Sequence, residues 1–201
     1  MNSGDAEALV RHAETFGLTT EAAVLRRWGA RGAALLADLI ASKRLEPGGH
    51  LSDGTTFYRI CQNQRAKRAL PPQQRYLFLA FCLLRQVERR PIAPQRIAER
   101  YPDFTSRALH CVENGSPPRI WRVYTPTSER ADIQTARHIR QEYLKTQKHL
   151  PRESTFRELV AVGNYGFAVL LDDQARAHNL RQLLTERPLP PEIAITVECF
   201  A

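Results

Sequence analysis

Basic side chains are concentrated in the middle third of this chain of 201 residues. Residues 62–125 hold 12 basic and 4 acidic side chains, whereas residues 1–61 hold 7 of each and residues 126–201 hold 10 of each. The whole formal net charge of +8 therefore lies in one segment. Because a solvated surface usually mixes its signs, this segment predicts a surface that faces an anion. The alternative interpretation is a basic linker around residues 65–68.

Arginines at this density, without matching acids, suit contacts to the phosphates of a nucleic-acid duplex. The predicted DNA-contacting residues all lie in the basic segment: Arg65, Lys67, Arg68, Arg89, Arg90, Arg96, Arg100, Ser106, Arg107, His110, Arg119 and Arg122. Among them, Ser106, Arg107 and His110 are the candidates for contacts to base edges. Arg122 has a second interpretation as a structural ion pair, because it lies midway along a predicted aromatic strand.

Acidic side chains near the end of the sequence suggest a different chemistry. Asp172 and Asp173 follow one apolar run and Glu198 follows another, and this placement resembles the metal-binding acids of restriction-type nucleases. That family has a lysine two residues after the strand acid, whereas Glu198 is followed by Cys199 and Phe200. The two aspartates more simply cap the helix that follows them. We therefore predict no catalytic residue and no metal site, and a metal-dependent nuclease is the third alternative.

The six histidines and four cysteines predict no metal centre either. The histidines have no HExxH or other metal-binding spacing, and the cysteines form no CxxC pair. Each cysteine lies in an apolar run, so we expect buried free thiols in a reducing cytoplasm. No glycine-rich phosphate loop and no GxSxG motif occurs, so no cofactor is predicted and the protein is expected not to be an enzyme.

Composition indicates an ordinary globular protein. The chain is 43 % hydrophobic and 25 % charged, which argues against a disordered tail or a coiled coil. No apolar run approaches the length of about eighteen residues that a membrane span needs. Acidic residues among the first twenty positions argue against a secretory signal, so we expect a cytoplasmic location and no membrane partner.

The first sixty residues predict short helices followed by a hairpin. Apolar spacing predicts a helix that ends at Gly17, and Thr20 with Glu21 predicts the start of a second helix. The predicted elements are helices at 5–16, 21–28 and 30–43, a turn at 47–49 and a strand at 55–60.

This order resembles the winged helix-turn-helix superfamily. Leu18–Ala23 is similar to the turn into its second helix, Leu35–Leu45 to its third helix and first wing strand, and Phe57–Ile60 to the returning strand. The resemblance implies that the third helix enters the DNA major groove. Here that helix is largely Ala and Leu, however, and lacks the polar side chains that read base edges. We therefore expect the first domain to contact protein or to close a dimer.

The basic segment resembles a second copy of the first one. At a shift of 74 residues, Arg11 falls on Arg85 and Glu14 on Glu88; after a shortening of eleven residues, the run 58–60 is similar to 121–123. The predicted elements are helices at 73–87, at 94–100 and from about 105 to 112, a wing at 114–119 and a strand at 120–124. The segment is therefore interpreted as a basic winged-helix-like domain.

The last segment predicts a small α/β unit. A mixed-charge helix at 129–148 precedes a helix at 156–162, which Ser154 and Thr155 are predicted to cap and which ends at Gly163. The apolar run 167–171 is typical of a strand covered on both faces, and a helix at 174–185 joins it to a strand at 193–197. A strand, a helix and a strand in this order predict a parallel pair.

Together these patterns predict an α+β, mainly helical protein with three domains. They are a winged helix at 1–61, a basic winged-helix-like domain at 62–125 and an α/β oligomerisation or effector domain at 126–201. We expect a double-stranded-DNA-binding protein that acts in transcription control or in the replication or maintenance of a mobile element, as tandem winged-helix plasmid initiators and bacterial winged-helix regulators do. The first and last segments are expected to mediate homo-oligomerisation or to bind a protein partner. The alternative is a winged-helix protein–protein adaptor.

Overall fold

The protein has an α+β fold that is about half helical. The computed structural model describes residues 3–61, 70–102, 108–127, 131–149, 151–191 and 193–200. These residues form eight helices and two sheets. The chain divides into two compact units, Met1–Gln86 (unit 1) and Val87–Ala201 (unit 2).

Unit 1 combines four helices with a small antiparallel sheet. Its elements are α1 (Ser3–Phe16), β1 (Thr19–Thr20), α2 (Glu21–Trp28), α3 (Arg31–Ala41), β2 (Leu45–His50), β3 (Thr56–Ile60) and α4 (Pro72–Leu83). The sheet order is β1-β3-β2, and both pairings are antiparallel. The predicted helices at 5–16 and 21–28 are confirmed to within two residues at their ends, whereas the helix predicted at 73–87 ends at Leu83.

Local residue chemistry explains the helix boundaries in unit 1. Gly17 follows α1 with a φ of 73°, a left-handed conformation that glycine adopts without a Cβ penalty. The Thr20 hydroxyl accepts a hydrogen bond from the Ala23 amide at 3.3 Å and so caps α2. Both features were predicted from the sequence.

The predicted turn at residues 47–49 is wrong. These residues lie within β2, and the pairing with β3 shifts register between Pro47 and Gly49. A Cβ on Gly48 would overlap the Phe57 ring, so glycine is needed there for a β-bulge packed against an aromatic side chain. The hairpin turns later, where the Leu51 amide donates to the Thr55 carbonyl at 2.9 Å.

Unit 2 is built on one mixed sheet. Its elements are β4 (Arg89–Ile92), α5 (Pro94–Arg100), β5 (Leu109–Glu113), β6 (Arg119–Tyr124), α6 (Asp132–His149), α7 (Thr155–Ala161), β7 (Tyr165–Leu171), α8 (Gln174–Glu186) and β8 (Ala194–Cys199). The sheet order is β4-β5-β6-β7-β8. Strands β4 to β6 pair antiparallel, and β6 to β8 pair parallel. The predicted parallel pair of the last segment is confirmed.

One face of this sheet carries the main core of unit 2. Tyr165, Phe167, Val169 and Leu171 alternate along β7, and each is buried in a cluster that includes residues of α5 to α8. Because neighbours on paired strands share a face, Ile120 joins this core through its register with Tyr165. Every residue of β7 is buried, as its continuous apolar sequence predicts.

The boundaries of the predicted domains differ from those of the units. The chain divides between Gln86 and Val87, so five basic residues of segment 62–125 belong to unit 1 and seven to unit 2. The helix predicted from about 105 to 112 is wrong where it is described, because Leu109–Glu113 forms β5. The returning strand β6 then pairs with β7 of the last segment, which joins the second and third predicted domains into one sheet.

Caps and cysteines agree with the sequence in part. The Ser154 hydroxyl accepts from the Phe156 amide at 3.2 Å, as predicted for the start of α7. None of the four cysteines, all within the described residues, forms a disulfide; Cys82 and Cys111 are buried, as expected, whereas Cys61 and Cys199 are partly exposed. Over the part of the chain that the structure describes, no helix has the length and apolar character to cross a membrane.

Candidate nucleic-acid interface

The structure separates the predicted DNA-contacting residues into three groups. Five of them lie outside the described residues: Arg65, Lys67, Arg68, Ser106 and Arg107. Four have buried or half-buried side chains that bond to other residues of unit 2: Arg89, His110, Arg119 and Arg122. Three are exposed on β4 and α5: Arg90, Arg96 and Arg100.

Arg89 is buried on β4 and is already neutralised. Its Nε lies 2.9 Å from Glu113 Oε2, and its Nη2 lies 3.7 Å from Glu198 Oε1. The Trp121 indole also donates to Glu113 Oε2 at 2.9 Å. Since β4 and β8 are opposite edges of the sheet, the sheet is curved enough for side chains of both edges to meet. Its burial and these carboxylate partners leave Arg89 poorly placed to contact a phosphate.

Arg122 forms the structural ion pair that the sequence left open as an alternative. Its Nη2 lies 2.6 Å from Glu142 Oε2, and both side chains are largely buried. Burial opposes ionisation of Glu142, but the hydrogen bond and charge of Arg122 lower its pKa overall. Arg122 thus neutralises an internal carboxylate and is not placed to bind a phosphate.

His110 lies on β5 and is only 1 % exposed. Its Nδ1 is 2.9 Å from the Ala108 carbonyl and its Nε2 is 3.3 Å from the Tyr165 hydroxyl. Burial lowers the pKa of His110 to about 4, although the Ala108 carbonyl acts in the opposite direction. A neutral, buried imidazole on a strand does not fit the predicted role in base contact.

Arg119 is half-buried at the start of β6. Its Nε donates to the Gly163 carbonyl at 3.1 Å, and its guanidinium carbon lies 5.4 Å from the centre of the Trp121 ring. The side chain therefore links β6 to the turn after α7, two residues beyond the end of that helix. This use competes with a contact to DNA.

Arg90, Arg96 and Arg100 form what we call the β4–α5 arginine surface. Arg90 Nη2 donates to Asn114 Oδ1 at 3.1 Å, and the Arg100 guanidinium lies 5.9 Å from the ring of Tyr101. Arg96 pairs with Glu99 at 3.3 Å, but both side chains are more than half exposed, so the pair is weak. Arg96 and Arg100 are four residues apart and share one side of α5.

In unit 1, the exposed face of α3 carries no base-reading side chain. Leu35, Leu36 and Leu39 are buried against the core of unit 1. The exposed positions within the helix after Arg31 are four alanines and one acid: Ala33, Ala34, Ala37, Asp38 and Ala41. Arg31, at the start of the helix, pairs with Asp5 at 3.3 Å, and beyond it this face offers no side-chain hydrogen-bond donor to a phosphate or a base edge.

The acids of the nuclease alternative have structural partners. Asp173 accepts a hydrogen bond from the Arg176 amide at 2.9 Å and so caps α8, as the sequence predicted. Glu198 lies beside Arg89. Within the described ranges, no three His, Cys, Asp or Glu side chains cluster in a way that could hold a metal ion.

Sequence reasoning missed the acidic partners of the inward arginines. Glu113, Glu142 and Glu198 lie 24, 20 and 109 positions from the arginines that they meet, so no local pattern joins them. Strand alternation was the available signal, because it places Arg89 and Arg90 on opposite faces of β4.

Comparisons with protein-family models, with curated proteins and with solved structures find no match for this chain. Its function is therefore argued from its own residues.

Proposed function

We propose that the protein binds double-stranded DNA without catalysing a reaction, and that the β4–α5 arginine surface contacts the phosphates. The observation that carries the proposal is the exposure of Arg90, Arg96 and Arg100 on two consecutive elements, where Glu99 is their one acidic ion-pair partner among the described residues. Exposed guanidinium groups donate in a fixed planar geometry that matches phosphate oxygens.

Unit 1 is proposed to be a winged helix that serves in assembly. The element order α1-β1-α2-α3-β2-β3 and the sheet order β1-β3-β2 support this assignment. The alanine-rich face of α3 supports a role in protein contact rather than base reading. In this proposal the protein is a homo-oligomeric cytoplasmic factor that acts in transcription control or in the replication or maintenance of a mobile element.

Binding through phosphates has a direct test. The chain should bind random-sequence duplex DNA tightly at about 50 mM salt and lose affinity steeply as salt rises, because each neutralised phosphate releases counterions. Arg96→Glu combined with Arg100→Glu should abolish binding. Arg26→Glu combined with Arg31→Glu reverses the same number of charges at exposed positions of unit 1 and should change the affinity little. Fluorescence anisotropy of a labelled duplex measures all three proteins.

A protein–protein adaptor is the second candidate. The face of α3 favours it, and so does Leu25 on α2, which is 39 % exposed. The adaptor predicts no measurable affinity for duplex DNA at about 50 mM salt. If the Arg26/Arg31 variant loses DNA binding while the Arg96/Arg100 variant keeps it, the DNA surface lies on unit 1 and our assignment is wrong.

A further inference from the structure

A groove between α6 and α8 in unit 2 shares no lining residue with the β4–α5 arginine surface. It encloses about 230 Å³ between the first half of α6 and the residues that end and follow α8. Its apolar wall is formed by Ile133, Leu183, Leu184 and Leu189. Ile133 is 46 % exposed and lies beside the partly buried Leu183, Leu184 and Leu189, so the groove presents a contiguous apolar surface.

Arginines surround this apolar wall. Arg137 and Arg187 line the groove, and neither guanidinium has a hydrogen bond or ion pair among the residues that the structure describes. Arg140 is occupied, because it donates to the carbonyls of Arg187 and Pro188 at the end of α8. Glu186 is the one acid of the lining, and it accepts a hydrogen bond from Gln182 at 3.2 Å. The groove therefore has an apolar wall and a net positive rim.

The size of the groove favours an anchoring side chain over a whole small molecule. Pockets for drug-sized ligands usually enclose about 300–1,000 Å³. A volume of about 230 Å³ is below that range, but it accommodates one or two apolar side chains. Protein interfaces concentrate their binding energy in pockets of this kind, each filled by a few anchor residues.

The charges decide which chemistry the partner must have. A second copy of the chain on the same groove would bring Arg137 and Arg187 close to their own counterparts, and like charges disfavour that contact. A DNA backbone would satisfy the arginines but has no apolar group for the wall of leucines. We propose that this α6–α8 groove binds an acidic segment of a partner protein, with an apolar side chain against Ile133 and Leu184 and carboxylates at Arg137 and Arg187.

Selection from a library of short random peptides on the full chain tests this proposal. The recovered peptides should carry Asp and Glu around a Leu, Ile or Phe. The affinity of a labelled recovered peptide, measured by fluorescence anisotropy, should fall by about tenfold or more in Arg137→Glu with Arg187→Glu, because hot-spot contacts commonly reach that size. Arg96→Glu with Arg100→Glu is the matched control and should leave the peptide affinity unchanged.

Ile133→Gln tests the contribution of the apolar wall to peptide affinity separately from that of the arginines. This exposed position tolerates a polar side chain, so the variant should fold and still lose peptide affinity. Peptides without an acidic and apolar pattern, or an affinity that the groove variants leave unchanged, would overturn the proposal. The same holds if the Arg137/Arg187 variant loses duplex-DNA affinity as strongly as the Arg96/Arg100 variant, because the groove would then belong to a DNA surface. If the chain dimerises and the Arg137/Arg187 variant does not, the groove binds a second copy of the chain and the proposal is overturned.

Discussion

The two units place their ion pairs in different environments. In unit 1, the pairs lie at the surface, with at least one partner more than a third exposed: Arg31–Asp5, Arg44–Glu7 and Arg59–Glu46. In unit 2, several pairs lie inside, with arginines only 8 to 15 % exposed: Arg89–Glu113, Arg122–Glu142 and Arg176–Asp132. Ion pairs of the same residue types are therefore exposed to solvent in unit 1, whereas in unit 2 they connect elements inside the fold.

The number of arginines in a segment therefore does not show how many of them lie at the surface. Arg89 and Arg90 are neighbours on β4, yet one is buried against Glu113 and the other is exposed. A buried ion pair also makes its two members mutually dependent, because removing one leaves an uncompensated charge in a poorly solvated site. Surface pairs carry no such penalty, since water replaces the missing partner.

Removing the arginine of one ion pair in each unit should give the greatest difference in stability between the units. Arg122→Ala should lower the free energy of unfolding of unit 2 by about 3 kcal/mol, because the largely buried Glu142 then keeps only the exposed Lys145, at 3.4 Å, as its cation. Arg31→Ala should lower that of unit 1 by less than about 1 kcal/mol. Each unit has one tryptophan, so urea unfolding followed by fluorescence reports unit 2 in a Trp28→Phe background and unit 1 in a Trp121→Phe background. Equal losses in the two units would contradict the comparison.

Acid should destabilise both units through one buried histidine each. Burial, and then the charge of Arg27, lowers the pKa of His12 to about 4, and burial lowers that of His110 to the same value. Between pH 6.5 and about 4 the unfolded chain binds protons that the folded chain does not. Stability is thus complete above pH 6.5 and falls as the pH drops, by about 3 kcal/mol per histidine at the acid end.

Replacing each buried histidine by leucine should change the stability of the two units in opposite directions. Both nitrogens of His12 are buried without a hydrogen-bond partner among the described residues, between the rings of Phe16 and Trp28. His12→Leu should therefore flatten the acid response of unit 1 and raise its stability at neutral pH. His110→Leu should instead lower the stability of unit 2, because the Ala108 carbonyl and the Tyr165 hydroxyl each lose a partner. An unchanged acid response of unit 1 in His12→Leu would refute the assignment.

Loss of a helix cap should have the smallest effect on stability, and it should be similar in the two units. Thr20 caps α2 in unit 1 and Asp173 caps α8 in unit 2. Replacing either by alanine should lower the free energy of unfolding of its unit by about 1 kcal/mol, because one amide loses its acceptor. The two single-tryptophan backgrounds measure both losses. If the chain cleaves DNA in the presence of a metal ion and Asp173→Ala abolishes that cleavage, the nuclease alternative is favoured instead.

The sequence predicts much of unit 1 because its signals are local. Gly17, Thr20 and the apolar spacing of α1 act within a few residues of the elements that they define. The turn at Pro47–Gly49 was mispredicted for a non-local reason, since Gly48 is required by the Phe57 ring on the next strand. In unit 2, α5 and α8 were predicted closely for the same local reasons.

The candidate site was harder to predict because its arginines depend on distant partners. Strand β5 was interpreted as a helix, and that error placed His110 on a surface although it packs against Tyr165. Glu142 lies on a helix that the sequence assigned to a different domain from Arg122. The exposure of Arg96 and Arg100 was accessible, because α5 was predicted with its observed bounds.

The salt dependence of DNA binding is the decisive measurement for the β4–α5 arginine surface. For a duplex, the slope of the logarithm of affinity against the logarithm of salt concentration changes by about 0.9 for each phosphate contact. Replacing Arg90, Arg96 and Arg100 by alanine should therefore reduce the magnitude of that slope by about 3. Arg26→Ala with Arg31→Ala should leave it as in the unaltered chain. An unchanged slope in the triple variant would show that the β4–α5 arginine surface does not bind DNA.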